Sequence, residues 1–420
     1  MHPDVPPHAM GYSMDLRLPG GRDLTRIALL AMLGRLGPSS RADIAREVNV
    51  NPATVTQLTK LLLQEGLVEE LHQAPSTGGR PGQLLGIVGD AGRALGVKLA
   101  SNHLVVVDVR LDGTVLASHT EAFDALAEDA PDRLAAMLRP YVEKASEVPL
   151  LGLGVAVPGV VDSPDSGNVK AQVLGWSNVP LGRHLRGALG LPVLVENDVK
   201  SVTIAEQLYG RGRLLKDFLV VSIGYGVGLG VITNGSLYRG SRGGAGEFGH
   251  FSVASDGPMC ACGNRGCLEA LIGAAALVTD ARSTRLLREK QGIGDLEQLA
   301  EDGNQTARSI FAQAGARLAR SLAALITVLD PEKVIVLGEG TSGWQHWDAG
   351  FRAVLNEYVA GPVCDTSIEV EPWDDTNWAQ GAAALVLATP FDLDGFAGRQ
   401  AEHVLARLHR KGSELTGIRM

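Results

Sequence analysis

The sequence has little cysteine, few aromatic residues and no apolar run long enough to span a bilayer. Of its 420 residues, 4 are cysteines and 5% are aromatic. Because Cys364 has no evident disulfide partner, we expect reduced thiols and a cytoplasmic location. A transmembrane helix needs roughly 20 consecutive apolar residues, and the N-terminus lacks the basic and then apolar pattern of a signal peptide. We therefore expect no membrane partner.

The composition is typical of a globular protein with several domains. Hydrophobic residues make up 45% of the chain and charged residues 20%, and the length suits roughly three domains. The net charge of −9 argues against a nucleic-acid coat protein, although it can hide a local basic face, and the N-terminal segment has one. Residues 1–20 show no apolar periodicity, so we expect a disordered leader there.

Residues 21–88 have the pattern of a winged helix-turn-helix domain. A helix is predicted over Arg41–Val48, with Ser40 as its cap. Asn51-Pro52 then starts a helix that ends near Glu65. The inward positions of this last helix are predicted to be Val55, Leu58, Leu61 and Leu62. Two strands and the loop between them complete the wing, at residues 66–70, 83–87 and 74–81.

The outward face of the last helix carries short hydroxyl and amide side chains. Such side chains can read base edges, while lysine and arginine contact phosphates. We expect DNA contacts from Arg41, Asn51, Ala53, Thr54, Thr56, Gln57 and Lys60, and from Arg80 at the tip of the wing. A helical hairpin with solvated polar residues is the alternative. DNA binding is favoured because the turn, the cap, the helix lengths and the wing agree.

Beyond the wing, strands and helices alternate, and two regions open in the same way. Strands are predicted at residues 95–99, 103–109 and 114–117, and the same order of strand, loop, strand, turn and strand recurs from Phe218. This repetition indicates duplicated α/β lobes that enclose a cleft. A long helix is predicted over residues 305–329. The predicted domains are a small lobe at 89–198, a large lobe at 199–390 and a tail without a readable role at 391–420.

Three of the four cysteines lie with a histidine in one segment, HFSVASDGPMCACGNRGC, at residues 250–267. Cys260, Cys262 and Cys267 can supply thiolates and His250 an imidazole. This is the Cys₃His set of a structural zinc site, which leaves no position open for water. The alternative is three unpaired thiols beside a histidine that only hydrogen-bonds. The spacing of the ligands favours zinc as a structural cofactor.

This segment and three further motifs resemble the ROK family of sugar kinases and sugar-responsive repressors. The motifs are Cys-x-Cys-Gly-x-x-Gly-Cys-x-Glu from Cys260 to Glu269, Glu247-Phe248-Gly249-His250, Glu196-Asn197-Asp198 and Val157-Pro158-Gly159. The resemblance covers roughly residues 24–388. It implies an α/β fold of the actin-like sugar-kinase (ribonuclease H-like) type, with two lobes hinged over a sugar cleft. The family's repressor branch adds an N-terminal winged helix and a Gly79-Arg80-Pro81 type of linker.

The resemblance also implies which residues bind sugar. They are Asn197, Asp198, Glu247, His250 and Glu269, with Gly159 at the wall of the cleft. Carboxylates, amides and imidazoles suit a sugar, whose ring presents donors and acceptors at fixed positions. In the family's kinases, the residue that matches Asp198 is the general base that accepts the proton of the attacking hydroxyl.

The nucleotide side departs from the pattern of the family's kinases. Where they carry an Asp-x-Gly-x-Thr type of loop after the first strand, this chain reads Lys98-Leu99-Ala100-Ser101-Asn102-His103. Phosphoryl transfer depends on glycine-rich loops and Mg²⁺, and the surviving turn at Gly224–Gly228 is a weak signal by itself. We therefore expect no enzymatic activity, with Asp198 as a sugar contact. Val173 replaces an asparagine that is usual in the kinases, which favours an effector other than glucose.

These observations predict a sugar-responsive transcriptional regulator, a repressor of genes for carbohydrate uptake or catabolism. Its predicted partners are operator DNA, a sugar or sugar derivative bound between the lobes, and further copies of the chain in a homodimer or homotetramer. One alternative is an ATP-dependent sugar kinase that retains a DNA-binding domain, supported by Asp198 and opposed by the altered loop at Lys98. Another is a sugar-binding protein whose winged helix contacts a protein.

Overall fold

The computed structural model describes residues 26, 29–30, 32–34, 37–73, 83–359, 365–372, 374–392 and 395–416. These residues form a winged helix, two α/β lobes and a C-terminal helix. Within these ranges, no helix combines the length and the apolar character needed to cross a bilayer. The predicted leader at residues 1–20 lies outside the described residues, as do Arg80 and Cys364.

The N-terminal domain pairs two capped helices with a three-stranded sheet. The elements are β1 (Ser39–Ser40), α1 (Arg41–Glu47), α2 (Pro52–Gln64), β2 (Val68–Gln73) and β3 (Gln83–Ile87), with the strands in the order β1-β3-β2. The Ser40 hydroxyl accepts a hydrogen bond from Asp43 N at 3.2 Å, and Asn51 Oδ1 accepts one from Ala53 N at 2.8 Å. The predicted helices and caps are confirmed, and β2 begins two residues later than predicted.

The buried face of α2 differs from the prediction at one position. Val55, Leu58 and Leu62 are buried as expected. Leu61 is 50% exposed, and Thr59 is buried instead. The prediction that Leu61 points inward is therefore wrong, because the buried positions 55, 58, 59 and 62 form one helical stripe and residue 61 lies off it.

The first lobe is built on a mixed five-stranded sheet. The strands are β4 (Arg93–Leu99), β5 (His103–Arg110), β6 (Val115–Ala122), β7 (Leu150–Val157), β8 (Val160–Val161), β9 (Asn168–Ala171), β10 (Trp176–Pro180) and β11 (Val193–Asn197). The main sheet has the order β11-β7-β4-β5-β6, while β8, β9 and β10 form a small antiparallel sheet. The helices are α3 (Ala130–Glu143) and α4 (Leu181–Leu189). The predicted turn at Asp112-Gly113 joins β5 to β6, with Gly113 at φ +88°.

The second lobe repeats this sheet after a connecting helix, α5 (Asp198–Leu208). Its strands are β12 (Phe218–Ile223), β13 (Val227–Thr233), β14 (Ser236–Leu237), β15 (Lys333–Leu337) and β16 (Ser367–Val370), in the order β14-β13-β12-β15-β16. In each sheet the first three strands form an antiparallel meander. A fourth strand pairs in parallel with the first strand of this meander, and a fifth pairs in parallel with the fourth. The predicted duplication is confirmed. The helices are α6 (Glu269–Ile272), α7 (Ala274–Ser283), α8 (Ile293–Glu301), α9 (Gln305–Leu329) and α10 (Trp344–Tyr358).

The next helix, α11 (Asp375–Leu387), returns to the first sheet. Two strand glycines allow its backbone to approach closely. A Cβ on Gly96 would lie 2.0 Å from Ala379 O, and one on Gly154 would lie 1.7 Å from Ala382 O. The sequence analysis assigned the residues of α11 to the large lobe. In the structure, α11 instead packs on the sheet of the small lobe.

The C-terminal residues form a helix, α12 (Gln400–Thr416), for which the sequence suggested no role. Val404 and Leu408 of α12 are buried in one hydrophobic cluster with the winged helix and the first lobe. Arg407 donates to Leu150 O at 3.1 Å and to Gly190 O at 3.2 Å. The helix therefore connects the first lobe to the winged-helix domain.

Candidate functional site

The four predicted metal ligands lie together. One donor atom from each of His250, Cys260, Cys262 and Cys267 lies within 4.8 Å of the others. Cys260 Sγ is 3.5 Å from His250 Nδ1, and Cys262 Sγ is 3.6 Å from Cys267 Sγ. In a tetrahedral zinc site, Zn–S bonds of about 2.3 Å and a Zn–N bond of about 2.0 Å separate two sulfurs by about 3.8 Å and a sulfur from the nitrogen by about 3.5 Å. The donor set therefore fits such an ion.

Tight backbone turns between the ligands bring the thiols together. Gly263 and Gly266 have φ angles of +91° and +65°, in the region that favours glycine. A Cβ on Gly266 would lie 1.6 Å from Ala254 O, so a larger residue would collide there. The backbone N–H of Cys260 donates to Asn264 O at 2.8 Å and closes one of the turns.

Burial and hydrogen bonding shift the pKa values of the thiols in opposite directions. Burial raises the pKa of Cys267 to about 12 and also raises the pKa of Cys260. A backbone hydrogen bond from Asn264 lowers the pKa of Cys262, which is exposed. Metal binding requires thiolates. Because burial disfavours the negative charge on Cys260 and Cys267, a cation bound between them would offset that penalty.

Two carboxylates of the predicted sugar site lie close to this cluster. His250 Nε2 is 3.9 Å from Glu247 Oε2, on the opposite side of the ring from the Nδ1 atom that faces Cys260. Glu269 starts α6 two residues after the last cysteine, and Glu269 Oε2 accepts a hydrogen bond from Val227 N at 3.0 Å. The geometry thus allows His250 to contact a metal through Nδ1 while Nε2 remains next to a carboxylate.

The other predicted sugar contacts meet where β11 passes into α5. Asn197 caps α5, because its Oδ1 accepts a hydrogen bond from Lys200 N at 3.1 Å. Its Nδ2 donates to Gly159 O at 3.0 Å and to Asp198 Oδ1 at 3.2 Å. Asp198 Oδ1 also accepts from Val199 N at 2.9 Å. Asn197 therefore holds the Gly159 turn against the Asp198 carboxylate.

A buried charge network, which the sequence analysis missed, joins this group to the second lobe. Glu196 is fully buried and pairs with Arg239, which also donates to Val161 O at 3.1 Å. Lys200 is 1% exposed, and its Nζ donates to Gly243 O. Arg239 and Gly243 lie on the segment that leads to the first metal ligand. The one available signal was the charge of Glu196 at the end of an otherwise apolar strand.

Charged residues link the two halves of the predicted sugar site, namely the carboxylates beside the metal cluster and the residues at the start of α5. Burial raises the pKa of Asp198 to about 6, the Lys98 ammonium opposes this rise, and the Glu339 carboxylate adds to it. Burial lowers the pKa of Lys200, while nearby carboxylates, Glu247 and Asp198 among them, oppose that change. Lys200 therefore interacts with carboxylates from both halves.

The predicted DNA-contacting residues that the structure describes lie on α1 and α2. Ala53, Thr56, Gln57 and Lys60 are exposed on α2, Asn51 is exposed at its start, and Thr54 is half-buried. Positions 53, 56, 57 and 60 follow helical spacing, so their side chains share one face. Arg41 donates to Glu70 Oε1 at 2.8 Å, and its guanidinium therefore already has a carboxylate partner.

Two family models match this chain, and proteins similar to it include transcriptional regulators. The ROK family model matches residues 94–389 and the MarR family model matches residues 23–74. The xylose repressor of Caldicellulosiruptor bescii is 28% identical over 380 residues, which cover 85% of this chain and 94% of that protein. The DNA-binding transcriptional dual regulator NagC of Escherichia coli is 30% identical over 338 residues, which cover 76% of this chain and 81% of NagC.

A solved structure shows the same fold. The crystal structure of a ROK family transcriptional regulator, a homolog of the E. coli MLC protein, matches with a TM-score of 0.75 and 23% identity, over 92% of this chain and 99% of that chain. This match confirms the predicted two-lobed fold with an N-terminal winged helix. The chain therefore belongs to the ROK family and carries a MarR-type winged helix in its N-terminal part.

Proposed function

We propose that this ROK protein is a sugar-responsive transcriptional regulator, a repressor of genes for carbohydrate uptake or catabolism. The observation that carries the proposal is a single hydrophobic cluster that unites the winged helix with the first lobe. Similarity to the xylose repressor and to NagC, over most of the chain in both cases, supports the same function.

Helix α5 provides a physical connection between the proposed sugar site and the winged helix. It begins at the Asn197 cap and Asp198, and its far end places Ile204, Ala205 and Leu208 in the cluster that contains the winged-helix core. Because cores are densely packed, a shift of α5 displaces its neighbours rather than being absorbed. An effector that binds the two lobe arrangements with different affinity would therefore change the position of α2.

The proposed DNA contacts are those of the exposed face of α2 and Arg41 beside it; Arg80, which the sequence alone assigns to the tip of the wing, is a further proposed contact. In helix-turn-helix proteins the recognition helix lies in the major groove, and dimers read two half-sites. We therefore propose that the chain binds operator DNA as a homodimer or homotetramer. Gln57 suits a base edge, and Lys60 suits a phosphate.

We propose zinc as the metal of the Cys₃His cluster. Bound there, it would act as a structural cross-link, since four protein ligands complete a tetrahedral shell. The chain's own residues orient the sugar contacts: His250 presents Nε2 next to Glu247, and Glu269 follows the last ligand in α6. The proposed sugar site comprises these three residues together with Gly159, Asn197 and Asp198.

The proposal treats the protein as a non-enzyme. Lys98 stands where the family's kinases have an aspartate after the first strand, which argues against Mg²⁺ and triphosphate binding at that position. The retained Asp198, with its pKa of about 6, favours the alternative of a sugar kinase with a DNA-binding domain. A coupled assay of ATP consumption with D-glucose, D-xylose and N-acetyl-D-glucosamine separates the two, since turnover above background would establish the kinase.

The regulatory function is tested by fluorescence anisotropy on duplex DNA from the region upstream of the protein's own gene. We expect binding that weakens steeply with salt and changes at least tenfold when one of the three sugars is added. A duplex of random sequence and equal length is the control. Binding that is equal on both duplexes, or that no sugar alters, would contradict the proposal.

A further inference from the structure

Lys98 lies at the carboxyl edge of the first sheet, and its side chain reaches residues of both lobes. Its side chain is 11% exposed, and Nζ is 4.0 Å from Glu339 Oε1 and 4.3 Å from the centre of the Trp378 ring. Lys98 pairs in register with Ala156, which pairs with Glu196 on the neighbouring parallel strand. Lys98 and the start of α5 therefore lie at the same edge of the sheet.

Glu339 comes from the second lobe and lies next to the glycine-rich turn there. It follows β15 at the start of a short 3₁₀ turn, Glu339–Gly343. A Cβ on Gly224 would lie 2.1 Å from Glu339 Oε2, so the carboxylate rests against the backbone of this turn. A carboxylate at this point repels the phosphates that such a turn could otherwise hold. An anion and a cation of the chain thus occupy the nucleotide side of the cleft.

We propose that Lys98 is a positioning residue of the effector site, whose ammonium pairs with Glu339 across the cleft and, from the same sheet edge, supports the Asp198 carboxylate as a hydrogen-bond acceptor for sugar. The proposal rests on the proposed function and deepens it. Lys98 supplies a fixed cation to the sugar site.

The expected pH dependence follows from the groups around Asp198. Lys98 from β4 and Lys200 from α5 favour the charged form of Asp198, whereas Glu339 from the second lobe disfavours it. Replacing Lys98 by methionine removes one favourable charge, so the pKa of Asp198 rises above its value of about 6. Protonated Asp198 loses acceptor capacity. Sugar affinity therefore falls on acidification, and in the variant this fall starts at a higher pH.

The test measures sugar affinity by calorimetry between pH 6 and pH 8.5. The probe is whichever of D-glucose, D-xylose and N-acetyl-D-glucosamine binds the unaltered protein, and Lys98→Met is compared with Lys290→Met, the same change at an exposed lysine outside the cleft. Because the pKa of Asp198 rises in this variant, we expect Lys98→Met to bind the sugar about fivefold more weakly than the unaltered protein at pH 6. At pH 8.5 the affinity of the variant should lie within about twofold of that of the unaltered protein. The control matches the unaltered protein throughout.

Recovery at high pH distinguishes positioning from a purely structural role. A loss of affinity that is the same at every pH, or no loss at all, would overturn the proposal. Asp198→Asn provides a second check, because in that background the Lys98 substitution should no longer alter the pH profile. A persisting change would refute the link to Asp198.

A sugar-free measurement separates failure of this inference from failure of the proposed function. Melting temperatures of Lys98→Met, Glu339→Gln and the double variant form a cycle. We expect the double variant to melt higher than the sum of the single shifts implies. Additive shifts would refute the pairing. If the cycle shows coupling but none of the sugars binds the unaltered protein, the effector role of Lys98 is refuted together with the proposed function, and only the ion pair remains.

Discussion

The Glu196–Arg239 pair can be tested quantitatively with Arg239→Met. Glu196 is completely buried and the Arg239 side chain is 16% exposed. Methionine keeps much of the apolar stem but leaves a buried carboxylate without its guanidinium partner. Breaking such a pair costs about 3–5 kcal/mol. Because the Lys200 ammonium also interacts with Glu196, we expect the lower value, a loss of about 3 kcal/mol in the free energy of unfolding.

Urea unfolding followed by far-ultraviolet circular dichroism measures this loss. The matched control is Arg242→Met, the same substitution at an exposed position of the same loop, which should change the stability by no more than about 0.5 kcal/mol. In the double variant with Glu196→Gln no buried carboxylate is left without its guanidinium partner, so most of the loss should disappear. Hydrogen exchange should also show faster opening of residues 239–250, since Arg239 anchors that segment to Val161 O and Asp162 O. Equal stabilities of Arg239→Met and Arg242→Met, or no rescue by Glu196→Gln, would refute the reasoning.

Three further predictions concern the metal, the DNA face and the packing of α11. Cys262→Ser should lower the zinc content measured by mass spectrometry and abolish the sugar response of DNA binding; a full response without zinc would contradict the structural role. Lys60→Ala should weaken binding on all sequences and reduce the salt slope by about 1, whereas Gln57→Ala should relax preference at one base pair by about 1–3 kcal/mol; the reverse pattern would contradict the assignment. Gly154→Ala should lower the melting temperature, because its Cβ would lie 1.7 Å from a backbone oxygen of α11. Gly187→Ala, in α4 with open space around it, should raise stability by up to about 1 kcal/mol, and similar shifts for the two would refute the close approach.

Local signals in the sequence predicted most of the strands and the helices α1, α2 and α9, whereas others, among them α10 and α11, were not predicted. The long helix α9 has its predicted bounds. Asn304 Oδ1 caps its start by accepting hydrogen bonds from Thr306 N and Ala307 N, and Asp330 ends it in the left-handed conformation. At α2 the apolar character of Leu61 was misleading. Thr59 takes the buried place, and its hydroxyl donates to Thr56 O at 3.1 Å, which satisfies the group inside the helix.

Long-range charge pairs could not be predicted from the sequence. Glu196 and Arg239 are 43 residues apart, and Lys98 and Glu339 belong to different lobes that meet only when the chain is folded. The metal cluster was predictable because its ligands lie within 18 residues of one another. The docking of α12 was equally hidden, since an amphipathic stretch indicates that one face is buried without indicating the surface that buries it.

The division between apolar and charged contacts indicates which parts of the molecule move together. The winged helix shares its hydrophobic core with the first lobe, so these two parts form one packed unit. Between the lobes, α5 uses a different face, with Val199 and Val202 packed on the second sheet. Polar contacts that cross the cleft beside it include the pairs Glu196–Arg239 and Lys98–Glu339 and the bond from Lys200 to Gly243. Charged pairs can exchange partners with water or with a sugar hydroxyl, whereas a packed core resists deformation. A rotation of the first lobe against the second would therefore break polar contacts at the proposed sugar site and carry α2 with it.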